Sequence, residues 1–403
     1  MLEYWLWLAE RRYTGARTLH ALLAQFGTPE AVYCAGADDY PPELRPEARA
    51  SLADKDLAQA KTILQQCYRK NIHILTLQDA GYPQRLKNID DSPLVLYYQG
   101  ILPDFDAQPV LAMVGTRHAS AYGLLQAKRL GYELGRYGAL IVSGGAAGID
   151  TLSLRGAVSS GMPPAAVFAC GVDVDYPAAN RGLFDDLRVH GCVLSEYAPG
   201  TPPLAEHFPV RNRILSGLSN GVIVVEAPAK SGALITAHHA LEQGRDVFAL
   251  PGNLDNPACA GSIQLLRQGA IVVSEGWDVL QEYVHLYPQL PQRQPKSVLT
   301  LSAQEEKLAA ETQETASRPE KSDTKAVDKP ENRAYIDVQE ILPQLSADEA
   351  AVIGQLQTGR ELVDRIIDAA QLPAGRVLAA LTLLEVKGFV KRLPARYYEL
   401  AKK

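Results

Sequence analysis

The middle of the chain repeats one pattern. A short run of apolar residues ends in a turn of glycine and small polar residues, and a stretch with apolar positions at helical spacing follows. Val110–Val114 leads into Gly115, Thr116 and Arg117, and a helix is expected from about Ser120. Leu140–Val142 leads into Ser143, Gly144 and Gly145, then Gly148, Ile149 and Asp150, and another helix. Ala165–Cys170, Val193–Tyr197, Val222–Val225, Val247–Leu250 and Ile271–Val273 continue the series. Leu94–Tyr98 precedes it, at the end of a Pro/Gly-punctuated segment that opens at Gly81. Strands that are apolar at every position are buried on both faces, and alternation with helices supplies both covers. The expected fold class is α/β, a Rossmann-like doubly wound parallel sheet.

The flanks differ. Residues 2–80 read as helical: Leu19, Leu22, Leu23 and Phe26 recur at helix spacing, Gly27 ends that helix, and 52–70 reads as another. Gly15-Ala16-Arg17 fits either a helix-hairpin-helix turn, whose amides hold DNA phosphate, or a plain turn between helices. Residues 288–333 are dominated by Gln, Pro, Lys, Glu, Ser and Thr, too little apolar surface to offset chain entropy, so a flexible linker is expected. Beyond it, helices over 347–356, 361–370 and 374–387 and a hairpin over 389–391 and 396–400 have the order of a winged helix. The expected domains are a small helical domain at 1–80, the Rossmann-like domain at 81–287, the linker at 288–333 and a winged-helix-like domain at 334–403. The third of those C-terminal helices carries only Arg376 and Lys387 as basic members, which favours a protein-contacting or accessory module over a reader of base edges.

Charge narrows the function. The net charge of -6 excludes coating of nucleic acid by bulk charge, but leaves room for a local basic groove. The five cysteines are scattered without metal-like spacing, as suits a reducing cytosol, and no apolar run is long enough to span a bilayer. A soluble, cytoplasmic protein is expected.

Candidate chemistry gathers beyond the carboxyl ends of the strands, where α/β sheets bind ligands. Arg211 and Arg213 flank Asn212 ahead of a short amphipathic segment, Ile214–Ser219. The apolar run from Gly221 to Ala227 is followed by a loop carrying Lys230, Ser231 and Gly232, with a helix expected from Leu234 to Gln243. A lysine, a hydroxyl and a glycine at a helix start suit an anion such as phosphate. With Arg117 the cations number four, either in one shared pocket or in separate ion pairs, with Glu206 and Glu226 as partners. Phe208 is placed to stack a base or to join the core, and Asp150 to cap a helix or to serve the site. The loops lack the GxGxxG spacing of nicotinamide-cofactor sites, a Walker A motif and the GxSxG elbow, and His207, His238 and His239 are too dispersed for a metal. No catalytic residue, cofactor or metal is expected.

Several stretches together resemble the DprA/Smf family of DNA-processing proteins. They are VGTRHASAYG (Val114–Gly123), SGGAAGID (Ser143–Asp150), FPVRNRILSGLS (Phe208–Ser219), VVEAPAKSGALITA (Val224–Ala237) and the later VFALPG and GSIQLLRQGA. The resemblance implies a Rossmann-like domain that binds single-stranded DNA and hands it to the RecA recombinase during natural transformation, as a homodimer formed through those domains. It implies a positively charged pocket on Arg117, Arg211, Arg213 and Lys230, lined by Ser143 and Gly144. The chain departs from the family's Ala-His pair after GID, carrying Ser153-Leu154 there. Two other function classes compete. A nucleotide phosphoribohydrolase would need a PGGxGTxxE loop, for which this chain has APAKSGALITA. A transcription regulator would act through the C-terminal winged helix.

Overall fold

A computed structural model describes residues 1–290 and 345–400, the latter without 357–360, 371, 373, 388 and 394–396. These residues fall into two compact units. The first opens with five helices, α1 (Leu2–Ala9), α2 (Ala16–Phe26), α3 (Pro29–Cys34), α4 (Pro46–Ala53) and α5 (Ala58–Arg69). The single helix expected over 52–70 is thus two, parted before Ala58. Gly15 caps α2 and Gly27 ends it at φ 83°, a left-handed conformation that favours glycine. Arg17 meets Asp90 at 3.7 Å, and the helices bury Leu6, Trp7, Leu22 and Leu52 together.

The strands are β1 (His73–Thr76), β2 (Val95–Gly100), β3 (Val110–Val114), β4 (Leu140–Ser143), β5 (Ala165–Val167), β6 (Cys192–Ser195), β7 (Gly221–Val224), β8 (Asp246–Ala249) and β9 (Ile271–Val272). They form one sheet in the order β1-β2-β6-β5-β4-β3-β7-β8-β9. From β6 to β9 every pairing is parallel, as expected. The helical reading of 2–80 is corrected at β1, which pairs antiparallel with β2, as β2 does with β6. The helices between the strands are α6 (Gln84–Lys87), α7 (Ala121–Arg136), α8 (Ile149–Ser160), α9 (Arg181–His190), α10 (His207–Leu218), α11 (Gly232–Glu242) and α12 (Ala260–Arg267), and α13 (Gly276–Leu280) follows β9.

Alternate residues of β3 serve the two faces. Val110, Ala112 and Val114 pack with Ile214, Leu215 and Leu218 of α10 and Ala233 and Ala237 of α11. Leu111 and Met113 pack with Leu130 and Leu134 of α7 and Ile149 and Ala157 of α8. That two-sided burial is why the strands are apolar at every position. Helices α7 and α8 cross at backbone contact: a Cβ on Gly156 would meet Lys128 O, and one on Gly131 would meet Ser153 O. Ser153 is buried there, its hydroxyl donating to Ile149 O at 2.8 Å, which places the Ser153-Leu154 departure inside a helix packing face. The expected linker lies outside the described residues from 291 on. Its first residues pack on the sheet unit, with Gln289 donating to Ala107 O at 3.0 Å and Leu290 buried.

The second unit holds α14 (Ala347–Gly354), β10 (Glu361–Leu362), α15 (Val363–Ala370), α16 (Ala374–Val386), β11 (Val390–Leu393) and β12 (Tyr397–Leu400), with strand order β10-β12-β11. This is the winged-helix order. Arg376 of α16 makes a two-pronged pair with Asp348 (2.8 and 2.6 Å), and Lys387 pairs with Glu349 (2.7 and 2.9 Å). Among the described residues, no helix is long and apolar enough to cross a membrane.

Candidate nucleic-acid interface

The chain runs outward from β3 through β4, β5 and β6, then crosses back to place β7 on the other side of β3. Such a reversal opens a crevice beyond the carboxyl ends of the two strands. The loops there are laced backbone to backbone. Thr116 N donates to Glu226 O at 2.7 Å, and Ile149 N donates to Thr116 O at 3.3 Å. Gly148 sits at φ 80°, and a Cβ on it would lie 2.5 Å from Thr116 O. Only glycine fits both the dihedral and the space.

Beneath the loops lies a buried charge cluster. Helix α10 carries Arg211, whose guanidinium donates to Gly144 O at 2.8 Å and to Val167 O. Asp150, second residue of α8, accepts from Gly144 N at 3.1 Å and Ala146 N at 3.3 Å. It therefore caps the glycine loop rather than its own helix, whose N-cap is Gly148. Burial pushes the Asp150 carboxyl up to about 6, against the opposing pull of Arg211 and the two amides. Burial likewise lowers Arg211 to about 10, which leaves it charged at neutral pH. A Cβ on Gly144 would lie 2.5 Å from Arg211 Nη2 and 2.7 Å from Asp150 Oδ2, so the absence of a side chain lets the pair close over the loop.

The predicted site residues separate into two layers. Arg211 and Arg213, expected ahead of a short amphipathic segment, lie within α10 itself and are 4% and 6% exposed. Arg213 points away from Arg211, into Glu196 (3.0 and 2.7 Å) and Asp91 (3.2 Å); these replace the partners Glu206 and Glu226 expected for the cations. Ser143 is fully buried and donates to Met113 O at 2.6 Å, so its hydroxyl faces β3 and not the crevice. Asn212 Nδ2 reaches Gly232 O at 3.4 Å, tying α10 to the start of α11. Ser231 caps α11, its hydroxyl accepting from Ala233 N at 3.2 Å. The outer layer holds Arg117 and Lys230, both exposed, with Gly232 exposed beside Lys230. The Arg117 guanidinium lies over the half-buried Phe208 ring at 5.2 Å. Phe208 touches Tyr176 edge-on at 5.7 Å, an exposed aromatic that sequence reasoning left out of the site although it follows the β5 strand end.

The backbone amides are less available than the glycine-rich loops suggested. Asp150 takes those of Gly144 and Ala146, and Glu226, which is buried, accepts from Ser120 N at 2.8 Å at the start of α7. Two anion-friendly positions are thus filled by the chain's own carboxylates. Of the four predicted cations, Arg117 and Lys230 are the two that remain exposed to solvent.

The family profile of DNA recombination-mediator protein A matches residues 73–284, and the DprA winged helix domain matches 339–396. The DNA processing protein DprA of Bacillus subtilis is 43% identical over 216 residues, 53% of this chain and 73% of that protein. Protein Smf of Synechocystis is 35% identical over 340 residues, covering 83% of this chain and 82% of the relative. The crystal structure of DprA from Streptococcus pneumoniae superposes with a TM-score of 0.63 at 34% identity, covering 70% of this chain and 98% of that one. With the doubly wound sheet, the winged-helix unit and these matches, the chain belongs to the DNA recombination-mediator protein A (DprA/Smf) family.

Proposed function

We propose that this protein binds single-stranded DNA at the crevice between β3 and β7 and loads the RecA recombinase onto it during natural transformation. It acts in the cytoplasm as a homodimer through its Rossmann-like domains, without chemistry of its own. The observation that carries this reading is the pair of exposed cations, Arg117 and Lys230, at the switch point of the sheet. Counterion release from phosphates drives binding, and Phe208 lends an aromatic surface. Arg211, Asn212, Arg213, Gly144 and Ser231 hold the loops that present those groups, Ser143 braces β4 on β3 beneath them, and Gly232 leaves room beside Lys230. Two cations form a small footprint, so a dimer that places two such crevices on one strand gains by avidity. The Bacillus subtilis and Streptococcus pneumoniae relatives, named as DNA processing proteins, agree with the reading. Five free thiols suit a reducing compartment.

A phosphoribohydrolase reading is disfavoured by Glu226, which engages the α7 amide where a nucleotide phosphate would seat. A regulator acting through the winged helix is disfavoured by the ion pairs that occupy Arg376 and Lys387. Fluorescence anisotropy of labelled single-stranded and duplex oligonucleotides tests the binding. The expected result is tighter, salt-sensitive binding of the single strand; equal or stronger duplex binding overturns it. RecA nucleation on strands coated with single-strand-binding protein tests loading, and should accelerate when this protein is added.

A further inference from the structure

We infer that Tyr176 is a base-stacking residue of this interface, the aromatic platform on which a nucleobase rests while its phosphate is held by Arg117. The inference rests on the single-strand reading above and adds to it a contact with the base. Phe208, the aromatic that the sequence places in the site, is half-buried and already engaged on two sides. The Arg117 guanidinium lies over its ring at 5.2 Å, and Tyr176 abuts its edge at 5.7 Å and 61°. A base approaching that cluster from solvent meets Tyr176 first, because that residue is 41% exposed while Phe208 is half-buried.

The segment carrying Tyr176 is held on both sides. Asp175 pairs with Arg181 at 3.1 Å and Arg188 at 2.7 Å. Asn180, buried, donates to Gly145 O at 3.0 Å and to Thr151 Oγ1 at 2.8 Å, fastening the segment to the glycine loop. A tyrosine loses little side-chain entropy when a ligand covers it, and the anchored backbone removes most of the rest. Every base has a π-face, so such a platform adds affinity without reading sequence. Arg117 and Tyr176 both contact the Phe208 ring, which places the cation and the platform on one aromatic cluster.

The test uses the full-length protein and two probes with equal numbers of phosphates, oligodeoxythymidylate and an abasic oligomer of the same length. Wild type should bind the thymidylate more tightly. Y176A should lose roughly 5- to 150-fold on the thymidylate, nothing on the abasic strand, and none of its salt slope. Y176F should keep wild-type affinity, because the ring and not the hydroxyl is used. The inference is overturned if Y176A keeps the wild-type preference for thymidylate, or loses equally on both probes. Loss of single-strand binding in R117A/K230A, with that preference intact in Y176A, would sink the inference alone. Failure of wild type to bind either probe at low salt would sink the single-strand reading with it.

Discussion

Replacing Asp150 by asparagine isolates the charge buried under the crevice. Burial carries this carboxyl up to about 6 from its ordinary 3.8, so the folded state keeps a proton that the unfolded chain releases. A group whose folded pKa is raised contributes stability below its unfolded pKa and loses that contribution as pH rises through the folded value. At neutral pH the ionised carboxylate therefore opposes folding by about 3 kcal/mol, from about two pKa units at 1.36 kcal/mol each. Between pH 7 and pH 5 wild type should gain about 1 kcal/mol relative to D150N, because only wild type takes up this proton. The other titrating groups cancel in the comparison. Urea unfolding followed by tryptophan fluorescence reads the right unit, since all three tryptophans (Trp5, Trp7 and Trp277) lie in it. A wild-type-minus-variant difference that is flat between the two pH values, or that moves the other way, refutes the account of the buried cluster.

The inner and outer layers should also part under other substitutions. R213A leaves the Glu196 and Asp91 carboxylates without their cation and should destabilise the protein by about 3 kcal/mol in thermal unfolding; R213K should not restore the two-pronged contact with Glu196. G144A drives a methyl into the Arg211–Asp150 pair and should cost about 1–3 kcal/mol. S143A loses one buried hydrogen bond, worth about 1 kcal/mol, and should leave oligonucleotide affinity unchanged. R117A and K230A, both on the surface, should each stay within about 0.5 kcal/mol of wild-type stability while weakening binding.

The parallel strands were legible because each is buried on both faces and so reads as an unbroken apolar run. The short antiparallel edge strand β1 was not, because His73–Thr76 follows directly on a helical pattern and its fourth position is polar. Helix α10 was hidden by Pro209 and by the polar Arg211-Asn212-Arg213 run. The proline lies in the first turn, where no intrahelical donor is lost, and the arginines face partners rather than water. Their partners, Glu196, Asp91 and Asp150, come from other segments of the chain, and no spacing along the sequence announces them. The positions of Arg117 and Lys230 in the loops after β3 and β7 were legible because strand-end loops are short and follow from the strand pattern alone. Tyr176 stands farther from its strand, and its edge contact with Phe208, the ring under Arg117, is invisible in the sequence.

The central claim, that Arg117 and Lys230 hold the phosphates of a single strand, is tested most directly by a salt series of single-strand affinity for wild type and R117A/K230A. Each phosphate contact on a single strand contributes about 0.7 to the slope of log affinity against log salt, so the double variant should be flatter by about 1.4. Between about 50 and 200 mM salt this amounts to roughly seven-fold less loss of affinity than wild type shows. A double variant with wild-type affinity and an unchanged slope would contradict the claim and move the site elsewhere.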